Sequence, residues 1–239
     1  MKMTSFKKQQ GNVLFLILLA VALFAALSYA VTQSSRSGGS DASSETDAVN
    51  AASITQYPTG VRTAILRLTV DGTQVQSIEF NDSANLGDCS SSGALCVFHP
   101  SGGGASHQQA PAAAMANGTP GDWTYNMEFE IPQIGTTTAD SLAGNELIAF
   151  LEGVTYSMCK ELNKRYEVNS GSNYDPVLFG STVTATVGVN RDDATAPTGA
   201  DVDFPAGLTG EPYGCFEDTD TASTTQAGNY VYYHTLVER

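Results

Sequence analysis

Four cysteines and three histidines carry the most distinctive chemistry in this 239-residue chain. Cys89, Cys96, Cys159 and Cys215 form an even set. In a domain outside the cytoplasm such a set reads as two disulfides, with three connectivities open. The favoured pairing is Cys89–Cys96, closing a small loop through Ser90 to Leu95, with Cys159–Cys215 closing a long one, where loop closure contributes most. The competing chemistry is zinc held by Cys89, Cys96, His99 and His107. Their spacing matches none of the usual short ligand pairs, and glycine-rich sequence separates the histidines. Oxygen ligands are plentiful in Arg191 to Asp203 and Glu217 to Asp220, with Asp218 and Asp220 as weak candidates for calcium. Calcium needs several oxygens from one flexible loop, and no EF-hand spacing is present.

Catalytic constellations are missing from the sequence. A nucleophile needs a paired base, and His99, His107 and His234 are the only histidines. His234 falls in an alternating stretch, where a half-buried structural role is expected. No Gly-x-Ser-x-Gly elbow or His-Glu-x-x-His is found, and Gly102-Gly103-Gly104 is followed by neither Lys-Ser/Thr nor a helix start, so it is no phosphate cradle. Lys160, Lys164 and Arg165 form the one basic cluster beyond residue 36 and read as a solvated helix face. The expectation is a protein that is not an enzyme and holds no cofactor.

The element that governs where these residues reside is Gly11 to Val31. From Val13 to Val31 no residue is charged, and Ser28 and Tyr29 are the only breaks in a Leu/Ala/Val/Phe run. About 20 apolar residues suffice for a helix to cross the hydrocarbon core, where only internal hydrogen bonds satisfy its backbone. Lys2, Lys7 and Lys8 precede the run with no acid among them. The positive-inside rule therefore keeps the N-terminus cytoplasmic and exports the rest. All 25 acidic residues lie beyond residue 31, against eight basic ones, a formal charge of −17 for the exported part. Such a surface repels nucleic acid and anionic headgroups, so no nucleic-acid partner is expected. Three fates fit the segment: an uncleaved anchor, a secretory signal cut after Ala30 in Ser28-Tyr29-Ala30, or a short leader removed ahead of a retained helix.

The third fate rests on Lys7-Lys8-Gln9-Gln10-Gly11, after which the apolar helix starts at once. This resembles the leader of type IV prepilins and type II secretion pseudopilins. The resemblance implies cleavage between Gly11 and Asn12 by a prepilin peptidase, an inner-membrane subunit, and other pilin-like subunits as partners. It also implies a C-terminal region bounded by a disulfide, in agreement with Cys159–Cys215, and, by likeness to major pseudopilins, a C-terminal calcium loop. Gly153-Val154, followed by Cys159 and Leu162, is similar to a segment of type IVb pilins. The family usually carries Glu as the fifth mature residue, where this chain has Leu16, and a first mature Phe or Met, where it has Asn12. That departure resembles minor subunits at filament tips.

Along the rest of the chain, Thr32 to Asp47 is Ser/Gly-rich and reads as a flexible link, with Gly38-Gly39 interrupting any helix. Val49, Ala52, Tyr57, Val61, Ala64, Ile65 and Leu68 form one apolar stripe, predicting an amphipathic helix over 48–70 with Pro58 kinking it. Val75 to Asn81 alternates weakly, and Val97-Phe98 reads as a strand end. Trp123 to Ile131 alternates best, predicting a strand with Trp123, Tyr125, Met127, Phe129 and Ile131 on one face. A strand or short helix is expected to Leu151, then a Gly153 turn and a helix from Thr155 to Tyr166. Val177 to Val189 and the final stretch to Val237 read as strands, with an acidic loop over Asn190 to Gly214.

The expected class is thus α+β: an N-terminal transmembrane helix, then an amphipathic helix packed on an antiparallel β-sheet with disulfide-stapled loops. The expected organisation is a basic leader 1–11, a transmembrane helix 12–31, a flexible linker 32–47 and an exported pilin-like globular domain 48–239. The function this implies is a minor or tip-like subunit of a type IV filament or secretion pseudopilus. The alternative is a stand-alone binding domain, anchored or secreted into the periplasm as an adhesin or surface receptor.

Overall fold

The computed structural model describes residues 12–80, 93–135, 145–179, 202–218 and 229–239. The chain divides into two compact units, one up to Thr46 and one from Asp47 to Arg239. The fold is α+β, with an apolar N-terminal helix, a sheet and a Cys159–Cys215 disulfide.

Helix α1 is assigned over Asn12–Val70. Its first part, Leu14–Thr32, is long and apolar enough to cross a membrane, and none of it is buried within the protein. By length and composition it fits a membrane anchor or a signal sequence. The Thr32 hydroxyl donates back to the Ser28 carbonyl at 2.6 Å, so this polar side chain is satisfied on the helix itself. Residues 32–47, expected as a flexible linker, are helical. Two glycines cost about 1 kcal/mol each against alanine, but propagating a helix already formed avoids the cost of nucleation. Pro58 likewise lies inside α1 without ending it.

In the second unit, the end of α1 buries Ala51, Ile54, Val61, Ala64, Ile65 and Leu68. This is the predicted stripe shifted slightly: Val49 stands exposed, whereas Ala51 and Ile54 are inside. Asp71 and Gly72 end the helix, Gly72 at φ 94°. Val75–Ser77 then forms a 3-10 turn instead of the expected strand, and Glu79 makes only an isolated bridge with Cys96.

The described strands are β1 (Trp123–Glu130), β2 (Glu146–Val154), β3 (Val177–Phe179), β4 (Val202–Asp203), β5 (Tyr213–Asp218) and β6 (Asn229–Val237), in spatial order β3-β5-β6-β2-β1-β4. The expectation of an antiparallel sheet holds for β1/β2, β2/β6 and β5/β6. The edges correct it: β4 runs parallel to β1 and β3 parallel to β5, so the sheet is mixed. Helix α2 (Tyr156–Tyr166) follows β2, with Thr155 as N-cap accepting from the Met158 N–H at 3.2 Å.

Alternation along the strands sorts the core onto two faces. Leu147, Ala149, Leu151 and Tyr232 join α1, Met158 and Leu162 on one. Ile148, Phe150, Val231 and Tyr233 join Phe179, Phe204 and Phe216 on the other. Strand β1 contributes to both. Its register with β2 shifts between Asn126 and Phe129. Trp123, Tyr125 and Met127 therefore belong to the first cluster, while Phe129 and Ile131 belong to the second. The single five-residue face read from the sequence is corrected by this bulge, which adds a residue and turns the strand over. A second shift, between Glu152 and Val154, places Gly153 at φ 77°, a conformation that favours glycine.

Candidate functional site

Of the predicted processing pair, Gly11 lies outside the described residues and Asn12, the first described residue, is helical in α1. Cys159 and Cys215 are bonded, with Cα atoms 5.3 Å apart, tying α2 to β5 across 56 positions. Cys96 carries no free thiol, and its expected partner Cys89 lies outside the described residues. The zinc alternative therefore loses a ligand. His99 accepts the Ser101 N–H on Nδ1 at 3.1 Å, and His107 stands edge-on to Phe98 at 5.4 Å. Asp218 is not on a solvated loop: it ends β5 and is buried. Asp220 lies outside the described residues. Among the described residues no three His, Cys, Asp or Glu side chains gather in a metal-holding group.

The basic cluster on α2 is largely occupied by neighbours. Lys160 Nζ is 2.9 Å from Asp175 Oδ1, which also accepts the Tyr156 hydroxyl at 2.6 Å. These contacts lower the Asp175 pKa and raise that of Lys160. Lys164 pairs with Glu161 at 3.4 Å.

The structure builds three polar arrangements, of which the residue pattern pointed only to His234 and to the cysteines. The first lies at the α2–β5 junction. Asn163, wholly buried, accepts the Cys215 N–H at 2.7 Å and donates to the Cys215 carbonyl at 2.9 Å. Cys159 and Asn163 are four apart on α2, so disulfide and amide act on the same residue of β5.

The second surrounds His234 on β6. Its Nδ1 meets the Tyr232 hydroxyl at 2.9 Å, and its ring packs on Tyr213 at 4.3 Å. Arg62 donates to the Tyr213 hydroxyl at 3.3 Å and lies 3.7 Å from Glu238. Burial, helped by the Arg62 charge, pushes the His234 pKa down to about 3, which keeps the ring neutral at physiological pH. A neutral, enclosed imidazole fits the structural role expected of it.

The third is Glu146, at the start of β2 and wholly buried. Its Oε2 accepts the Ile131 N–H at 2.8 Å, and among the described residues its Oε1 has no partner. Burial, reinforced by the charges of Glu130 and Glu238, raises its pKa to about 7. Neighbouring Asn145 is also fully buried, its amide without a partner among the described residues.

A cleft of about 310 Å³ opens between the C-terminal part of α1 and residues 105–108. Ser53, Gln56, Tyr57 and Gly60 line it from the helix, and Ser106 and Gln108 from the loop. On the helix side the Tyr57 hydroxyl meets the Tyr125 hydroxyl at 3.0 Å. Compared with known proteins, the chain matches no family model, no curated protein and no solved structure.

Proposed function

We propose that this chain is a minor, tip-placed subunit of a type IV filament or secretion pseudopilus, structural and non-catalytic. It would be held by α1 in the inner membrane before assembly, with its head outside the cytoplasm. The observation that carries this reading is α1 itself. Over the described residues one helix, Asn12–Val70, supplies both the apolar segment and the stripe buried in the head's core. A leader removed after Gly11 would leave that whole helix on the mature protein. The Cys159–Cys215 disulfide supports export to an oxidising compartment.

Leu16 then occupies the fifth mature position, exposed on the helix. In the family this chain resembles, a Glu at that place helps an incoming subunit dock against the N-terminus of its neighbour. A buried carboxylate beside a charged amine is favourable only as a pair, and Leu cannot supply one side of it. A subunit at the tip has no earlier neighbour to meet, so the loss is harmless there.

The test is the mature N-terminus. Protein extracted from membranes should begin at Asn12 by N-terminal sequencing and intact mass. A chain beginning at Val31 would establish a secreted protein and end the filament reading.

A further inference from the structure

Gly60 breaks a local rule. Glycine inside a helix costs roughly 0.5–1 kcal/mol relative to alanine, and a Cβ built at residue 60 meets nothing within 4 Å. No close packing within the fold demands the glycine. Its effect is to leave the floor of the cleft between α1 and residues 105–108 open, the use glycine has where backbone and ligand approach closely.

The cleft's chemistry is narrow. Ser53 and Ser106 present hydroxyls, Gln56 and Gln108 present amides, and Tyr57 presents an aromatic ring. Hydroxyls and amides both donate and accept. Among the described residues no carboxylate, ammonium or guanidinium lines the cleft, in an exported part whose formal charge is −17. A charged ligand would be desolvated there without a counter-charge, which is costly. A purely apolar one would leave the amides unpaired. Tyr57 is preorganised: Trp123 packs on it at 5.2 Å, and its hydroxyl meets that of Tyr125 at 3.0 Å. Burial raises the Tyr57 pKa, so the phenol adds no charge.

We infer that this cleft binds a neutral saccharide. Vicinal hydroxyls match the paired donors and acceptors of Gln56 and Gln108, and the apolar face of a pyranose ring matches Tyr57. The volume lies at the small end of ligand sites and accommodates about two hexose rings at most. The inference does not rest on the filament reading, because a head with this cleft binds sugar whichever way its N-terminus is processed.

The experiment uses the full chain in a detergent without sugar headgroups. Saturation-transfer NMR is run with lactose, maltose and diacetylchitobiose, alongside sialic acid and glucosamine as charged comparators. At least one neutral disaccharide should bind, with a dissociation constant on the order of 1 mM. Gly60→Phe should weaken it about tenfold or more by filling the floor, a loss of about 1.4 kcal/mol. Gln56→Ala, at an exposed position that leaves the fold intact, should weaken it several-fold. No saturation transfer to any neutral sugar overturns the inference. So does binding that both variants retain at full strength, which would place the sugar elsewhere, and so does binding of the charged sugars as tight as that of the neutral ones.

Discussion

Glu146→Gln isolates what a buried carboxyl does to this fold. The side chain is inaccessible, receives one hydrogen bond from Ile131, and has Glu130 and Glu238 as repulsive neighbours. Its pKa rises from 4.5 to about 7 on folding, so the folded state binds the proton more tightly than the unfolded chain. Its contribution to stability is then complete below pH 4.5 and is lost as pH rises through 7. A shift of this size corresponds to about 3 kcal/mol. Glutamine keeps the acceptor for the Ile131 N–H but cannot ionise. The NH2 it places at the unpartnered Oε1 position carries a desolvation cost of about 1–3 kcal/mol, the same at every pH. The prediction therefore concerns the slope. Urea unfolding of both proteins from about pH 4 to about pH 8.5 should show the variant gaining about 3 kcal/mol on the parent, mostly between pH 5 and 7. His234 acts with the opposite sign: its lowered pKa removes stability as pH falls from 6.5 towards 3. Both proteins contain it, so it cancels in the difference. A difference that stays flat across that range would refute the reasoning.

Replacing Cys159 and Cys215 by Ser should cost about 2–5 kcal/mol, read by denaturant unfolding, and a non-reducing peptide map of the parent should yield the 159–215 link. Asn163→Ala leaves the N–H and C=O of Cys215 buried without their side-chain partner and should cost about 3 kcal/mol with the disulfide intact. Expressed and processed without companion subunits, the chain should form no long filaments by electron microscopy. Abundant homopolymer would show that Leu16 in place of Glu does not matter.

Legibility in this sequence followed the strength of pattern. Trp123 to Glu130, Tyr156 to Tyr166 and Asn229 to Val237 were readable because their periodicities extend over eight or more residues. Strand β5 was not: Tyr213-Gly214-Cys215-Phe216-Glu217-Asp218 sits between a proline and an acidic run and resembles loop by composition. Its extended form is supplied by β6 on one side and β3 on the other, partners that no local window contains. The crossing of Phe129 to the second core was hidden for a related reason, since a bulge is set by how two strands pair. Of the site residues, the 159–215 link was the favoured one among three connectivities that the cysteine count left open, and the structure contains it. Glu146 and Asn163 were not legible, because a polar residue in an amphipathic element reads as solvent-facing until its distant partners are known. Ser53, Gln56 and Gly60 read as an ordinary exposed helix face for the same reason: the opposite wall begins some 45 residues later.

The junction of α2 and β5 explains why an amide sits where the helix pattern would accept leucine. Strand β3 pairs with Phe216, Glu217 and Asp218 but goes no further along β5. At Cys215 the outer edge of the strand would be left with a free donor and a free acceptor, in a place where no water reaches Cys215 or Asn163. Unpaired, they would cost about 1–3 kcal/mol each. The Asn163 side chain supplies an acceptor at 2.7 Å and a donor at 2.9 Å, as the peptide group of one more strand residue would. Leucine there would bury more carbon but orphan both groups. One turn earlier, Cys159 fixes the same residue covalently. The disulfide stabilises this junction by limiting the unfolded chain, whereas the amide completes the edge of the folded one. Their effects arise in different states, so reduction alone should lower global stability while leaving this edge paired, and opening the edge should require the loss of Asn163.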